Sequence, residues 1–160
     1  MLNLAGNQIA VLVIFFLVLL LGGGCRHADR PALDKELIEA AKVGDAGKVS
    51  QLLDQGAHIA ARNESGRTVL MLAALKGRKE IIDLLLSRGA KAGDVDSQGM
   101  TALMWAAFGG SKPVIETLIS HGADARAKDK NGETALDWAK ARNGNSAVID
   151  LLTNSKAMVQ

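Results

Sequence analysis

The chain has 160 residues, with 19 Lys or Arg against 17 Asp or Glu and a formal net charge of +2. This small positive excess argues against nucleic acid as a partner, because proteins that bind it concentrate basic residues on one face. A single cysteine excludes an intramolecular disulfide and a cysteine-rich zinc site. All the charged residues follow position 25, which leaves about 135 residues, enough for one compact domain.

An unbroken apolar run extends from Ile9 to Leu21, near the start of the chain. Its length matches the hydrophobic region of a signal peptide, whereas a membrane-spanning helix needs about 20 residues. Three glycines and then Cys25 follow the run. The segment from Leu21 to Cys25 resembles the bacterial lipoprotein box, in which the cysteine becomes the lipidated first residue. The resemblance implies a signal peptide at 1–24 and a periplasm-facing lipoprotein of the bacterial cell envelope.

Two features of this segment leave other interpretations open. Gly22 stands where lipoprotein boxes favour leucine, and no Lys or Arg precedes the apolar run, although Arg26 and Arg30 follow it. Basic residues on that side favour an uncleaved single-pass anchor with its domain in the cytoplasm. The small residues after Leu21 also suit ordinary signal cleavage, which would release a soluble protein.

Residues of the same type recur every 33 positions in the remainder of the chain. The clearest series are Gly66, Gly99 and Gly132; Thr68, Thr101 and Thr134; Leu70, Leu103 and Leu136; and Ala73, Ala106 and Ala139. Nine of the 17 glycines share this register. A fixed period of this length indicates a solenoid of stacked repeats.

The period and the segments that begin at Thr68, Thr101 and Thr134 resemble the ankyrin repeat. The resemblance implies a mostly α solenoid of four helix–turn–helix repeats with short β-hairpin-like turns. The repeats are expected at about 32–62, 63–95, 96–128 and 129–154, between a tether at 25–31 and a C-terminal tail at 155–160. The position of the family's usual histidine holds Met71, Met104 and Asp137 instead.

The residue types within one repeat suit this architecture. Gly66 and its equivalents permit a positive φ in the turn before a helix, and the threonine that follows can cap that helix. Gly77 and Gly110 are expected to end the first helix of their repeats. The position that holds Leu72, Trp105 and Trp138 holds Glu39 in the first repeat, which predicts polar end repeats. The two tryptophans are interpreted as core between repeats, and Leu70, Leu103 and Leu136 are expected to be buried equivalents.

The sequence offers no pattern typical of an enzyme, a cofactor site or a metal site. His27, His58 and His121 share no register position and match no metal-ligand spacing. Asp94 and Asp96 imitate the opening of a calcium loop, but a tryptophan occupies the place of its bidentate glutamate. We therefore predict a non-enzymatic protein without a cofactor, a metal or a small-molecule substrate.

One register position gives the most specific prediction of a binding site. It holds Lys42, Leu75, Phe108 and Ala141, and the next position holds Val43, Lys76, Gly109 and Arg142. In the ankyrin family the first of these positions lines the concave groove. The resemblance implies that a partner protein binds there and at the turn tips, on an apolar pair outside the core (Leu75 and Phe108) bordered by Lys42, Lys76 and Arg142. Two alternatives remain: the pair is scattered surface apolar residues, or the chain is an envelope spacer with no single partner.

Overall fold

The computed structural model describes residues 30–142 and 145–157. These residues contain eight helices, which alternate between first and second members of a pair. They are α1 (Arg30–Val43), α2 (Ala46–Asp54), α3 (Val69–Leu75), α4 (Lys79–Ser87), α5 (Ala102–Gly109), α6 (Lys112–Ser120), α7 (Ala135–Ala141) and α8 (Ser146–Ala157). Helix α1 thus begins inside the expected tether, and α8 continues into the expected tail.

The helices are arranged in two layers. The inner layer consists of α1, α3, α5 and α7, packed side by side in chain order, and the outer layer consists of α2, α4, α6 and α8. Each inner helix also packs against the outer helix that follows it. The predicted mostly α solenoid of four helix–turn–helix repeats is therefore confirmed.

Hairpin-like turns connect the repeats, and glycine is needed in them for two reasons. Antiparallel bridges join Arg62 to Thr68 and Val95 to Thr101, on either side of their turns. Gly66 has a φ of 73°, which disfavours any residue with a Cβ. A Cβ at Gly66 would also lie 3.1 Å from the backbone nitrogen of Ser97 in the next turn. The 33-residue glycine period thus reflects both local conformation and the close stacking of turns.

Each inner helix of the second and third repeats begins with the same reciprocal cap. The Thr68 hydroxyl accepts from the backbone N–H of Met71 at 3.3 Å, and the Met71 Sδ accepts from the Thr68 N–H at 3.4 Å. Thr101 and Met104 repeat both contacts. A thioether is a weak acceptor, but it satisfies a buried donor that would otherwise be unpaired. The methionines that replace the family's histidine therefore fill the core and also cap the N-terminal ends of α3 and α5.

Burial of the repeated leucines separates the last repeat from the inner two. Leu70 and Leu103 are 2% and 0% exposed, as predicted, whereas Leu136 is only half-buried. The expectation that all three are buried equivalents is wrong for Leu136. Helix α7 packs chiefly against α5 and α8, and it is the last inner-layer helix among the described residues.

Polar residues lie at both ends of the helix stack. Glu39 is exposed in α1, and Lys140 is exposed in α7 at the register position where Ala74 and Ala107 are buried. This arrangement confirms the prediction of polar end repeats. No helix within residues 30–142 and 145–157 is long and apolar enough to cross a bilayer. The predicted lipidation site, Cys25, lies outside the described residues.

Candidate functional site

The five residues predicted to bind a partner all lie at the C-terminal ends of inner-layer helices. Leu75 is the last residue of α3 and Phe108 is the last but one of α5. Lys42 lies in the last turn of α1, and Lys76 and Arg142 are the C-caps of α3 and α7. The helix ends approach closely, since a Cβ on Gly109 would stand 2.6 Å from the carbonyl oxygen of Leu75. The structure therefore brings the predicted residues to one edge of the inner layer.

Three aromatic side chains form a cluster on this edge, here called the aromatic pad: Trp105, Phe108 and Trp138. The Phe108 ring lies between the two indoles, with centroid separations of 5.8 Å on each side and interplanar angles of 79° and 75°. These are edge-to-face contacts, an arrangement that aromatic quadrupoles favour. Trp105 is buried, while Phe108 and Trp138 are half-buried. The pad spans the third and fourth repeats and leaves part of an apolar surface open.

This packing corrects one expectation about the apolar pair. Leu75 and Phe108 were expected outside the core, but both are half-buried and pack against it. Phe108 in particular contacts both tryptophans, so its ring holds two repeats together. Replacing it would therefore disturb folding as well as any binding.

Two carboxylates in the hairpin turns hold the tryptophans in place. The Trp105 indole Nε1 donates to Asp96 Oδ2, and the Trp138 Nε1 donates to Asp129 Oδ2, both at 3.0 Å. The tryptophans were expected to be core residues, but their register positions did not predict these hydrogen bonds. The constant spacing of nine residues from Asp to Trp in both repeats was the available signal.

The same carboxylates also close the turns that contain them. Asp96 Oδ1 accepts from the backbone N–H of Gln98 and of Met100, at 2.9 and 3.0 Å. The Asp129 Oδ1 makes the corresponding pair of bonds in the next turn. These contacts explain the partial resemblance to a calcium loop, since the carboxylate oxygens serve the turn and the indole.

Asp129 has a shifted pKa. Burial acts to raise it, but hydrogen bonds from the backbone N–H of Glu133 and from the Trp138 indole, with further backbone bonds, outweigh burial. The pKa of Asp129 consequently lies below its ordinary value. The carboxylate is therefore charged throughout the neutral range and serves as a permanent acceptor.

Two arginines lie on the faces of the aromatic pad. The guanidinium carbon of Arg67 is 4.0 Å from the Trp105 ring centroid, and that of Arg142 is 4.5 Å from the Phe108 centroid. Cations over aromatic faces are attracted to the negative ring quadrupole. Arg142 was predicted as a border residue and is found on the ring itself. Arg67 was missed, because its register position holds Met100 and Glu133 in the next repeats and shows no pattern.

The two predicted lysines differ in their surroundings. Lys42 Nζ is 2.7 Å from Glu39 Oε1, so its charge is partly balanced within α1. Lys76 is exposed and makes no ion pair with any residue in the described part of the chain. The border of the aromatic pad therefore carries positive charge chiefly through Lys76 and Arg142, since Arg67 is paired with Asp96 at 3.7 Å.

Comparison with known proteins agrees with this architecture. A family model described as ankyrin repeats (3 copies) matches residues 16–96, 37–129 and 89–160, more than half of the chain. Two ankyrin repeat proteins of Rickettsia felis, RF_p14 and RF_pd14, are 37% identical over 59 residues and 38% identical over 58 residues. The matches cover 37% and 36% of this chain, and 94% and 88% of those relatives. The chain belongs to the ankyrin-repeat family.

Proposed function

We propose that this chain binds a partner protein on the inner-layer edge that carries the aromatic pad. Ankyrin repeats are protein-interaction modules, and the aromatic pad lies on the inner layer, with Phe108 and Trp138 only partly buried. The pad is the observation that carries the proposal, because aromatic side chains and arginine dominate the energetic centres of protein interfaces. The turn tips that precede α5 and α7 extend the same surface.

The chemistry around the pad supports binding over a purely structural role. Phe108 and Trp138 offer an apolar centre that is already rigid, so that little side-chain entropy is lost when a partner covers it. Lys76 adds charge beside this centre, where charges mainly set the rate and orientation of association.

Site-specific photo-crosslinking tests the location directly. A photoreactive amino acid in place of Lys76, on the inner layer, should crosslink a discrete partner in intact cells. The same group in place of Glu80, exposed in the first turn of α4 only four positions away, should not. Crosslinking from Glu80 alone would move the binding surface to the outer layer. Crosslinking from neither position, nor from Gln98 at a turn tip, would favour the spacer.

The N-terminal segment is proposed to anchor this module at the bacterial cell envelope through Cys25. The support is the short apolar run, the small residues after it and the presence of the only cysteine at that point. Acyl chains on the sulfur would give firm attachment, at about 0.8 kcal/mol per buried methylene. The protein would then act as a tethered periplasm-facing binding module.

Mass spectrometry and fractionation distinguish the three possible fates of this segment. A lipoprotein predicts a mature chain that starts at Cys25 and carries acyl groups, and predicts that Cys25→Ser leaves the membrane fraction. An unmodified chain beginning at Met1 would instead establish the uncleaved anchor. A shortened chain without acyl groups in the soluble fraction would establish plain export.

A further inference from the structure

We propose that the partner presents an acidic segment to this surface, with Arg67 and Arg142 binding its carboxylates on either side of an apolar side chain that rests on the aromatic pad. This inference rests on the proposed function and specifies the chemistry of the partner.

Arg67 is held in position without using its hydrogen-bond donors. Its guanidinium stacks on Trp105 at 4.0 Å and forms an ion pair with Asp96, in which Nε lies 3.7 Å from Oδ2, too far for a hydrogen bond. Its Nε is buried and has no hydrogen-bond partner. Asp96 cannot readily serve it, because that carboxylate already accepts from the Trp105 indole and two backbone N–H groups. The side chain remains 31% exposed, so its outer edge is open to a partner.

Arg142 also stacks on the pad, but no carboxylate of the described residues pairs with it. It is exposed, it stacks on Phe108 at 4.5 Å, and it makes no hydrogen bond or ion pair with any residue that the structure describes. Stacking covers the flat face of a guanidinium but leaves the N–H groups around its edge free. Such a preoriented edge matches the two oxygens of a carboxylate.

Other arginines of the same chain use their donors within the fold. Arg62 donates from Nη1 to the carbonyl oxygens of Gly66 and Val95, at 2.7 and 2.8 Å. Arg88 donates to Asp54 at 2.6 Å and to Ser50 at 3.1 Å. Arg62 and Arg88 thus differ from Arg67 and Arg142, whereas Arg78 at the N-cap of α4 is also exposed with no side-chain hydrogen bond or ion pair to a described residue.

The charges around the pad favour an acidic partner. The acidic groups of the same layer are largely engaged. Glu39 pairs with Lys42, Asp96 and Asp129 close the turns, and Asp137 accepts from Thr134. Glu133 lies in the third turn, before α7, whereas Lys76 and Arg142 at the C-terminal ends of their helices make no ion pair with any described residue and are the charges that an acidic segment would balance. Complementary charge speeds association and suppresses wrong partners.

Selection from a random dodecapeptide library tests the partner's chemistry. The full chain is immobilised in non-ionic detergent, and bound peptides are sequenced at two salt concentrations. We expect enrichment of Asp or Glu next to a large apolar residue, stronger at low salt. The best peptide should lose about tenfold in affinity for each guanidinium replaced by glutamine, the usual size of one lost charge-assisted hydrogen bond.

Four variants make the selection decisive. Arg67→Gln with Arg142→Gln should abolish the acidic preference, whereas Arg88→Gln, which removes an outer-layer arginine, should retain it. If the double variant has a lowered melting temperature, Arg142→Gln alone serves as the test. Arg142 is exposed at a helix end, so its replacement should leave the fold intact. Arg142→Lys should restore only part of the affinity, because lysine lacks the planar fork.

The outcomes separate this inference from the proposed function. Peptides that bind the pad without acidic residues, or an acidic preference that survives Arg142→Gln and the double variant, would overturn the inference and leave the binding function intact. If the folded wild-type chain selects no peptide at all, the proposed function fails and the inference fails with it.

Discussion

The third and fourth repeats share a leucine and a tryptophan at the same register positions, yet these residues differ in burial. Leu103 is fully buried and Leu136 is half-buried, and the same contrast separates Trp105 from Trp138. The local hydrogen bonds are nevertheless equal, since each indole donates to its turn aspartate at 3.0 Å. Local geometry is thus copied from repeat to repeat, while burial depends on having a neighbour on both sides.

The largest expected effect of this difference concerns the repeated leucines. Leu103→Ala should lower the free energy of unfolding by about 2–5 kcal/mol, because it opens a cavity where the packing is closed on all sides. Leu136→Ala should cost clearly less, since the side chain is already partly hydrated. Urea unfolding of the full chain in non-ionic detergent, followed by circular dichroism, measures both. Equal losses would contradict the claim that neighbours determine burial.

The closest approach between inner helices gives the second prediction. Gly109→Ala should destabilise the fold by about 1–3 kcal/mol, because the new Cβ would stand 2.6 Å from the Leu75 carbonyl oxygen. Gly47→Ala in α2 is the matched control, since its nearest neighbour is a flexible side-chain oxygen at 3.5 Å. There, alanine should stabilise the helix by about 0.5–1 kcal/mol. If Gly109→Ala instead raised the free energy of unfolding, α3 and α5 would be able to move apart without loss of stability.

The bond from indole to carboxylate gives the third prediction. Trp105→Phe keeps most of the ring volume but removes the donor to Asp96, and should cost about 1–3 kcal/mol because a buried acceptor loses its partner. Trp138→Phe removes the equivalent bond at a more exposed place and should cost less. Thermal unfolding of the two variants beside the wild type measures this contrast. A larger loss of stability in Trp138→Phe than in Trp105→Phe would contradict the expectation that the more buried bond contributes more.

The smallest expected effect is the pH dependence that Asp129 contributes. Its pKa in the folded chain is lowered from 3.8, so the folded state binds that proton less readily than the unfolded chain. Its contribution to stability is therefore present above about pH 3.8 and is lost as the pH falls through the lowered value. Asp129→Asn should flatten the fall in stability between about pH 5 and pH 2. An unchanged pH profile would mean that the turn and Trp138 do not hold the charged form.

The residues of one repeat were enough to predict its local structure. Glycines with positive φ, threonine caps and an apolar second helix act within a few residues of chain, so their spacing in the sequence specifies the conformation directly. The period of 33 then implied stacking, and the exchange of Leu72 for Glu39 marked an end. The fold and the polar ends followed from such short-range signals.

The tertiary structure decided how the repeats meet. Sequence register placed Phe108 in a row with Leu75, but the contact that matters joins it to Trp105 and Trp138, which the register assigned to another row. Arg67 could not be found, because nothing in its own repeat shows that it reaches a ring in the next one. Contacts of this kind depend on how helices rotate against each other and on rotamers chosen in a packed environment. The spacing of residues along the chain carries neither, and so only the assembled layers reveal the pad and its two stacked cations.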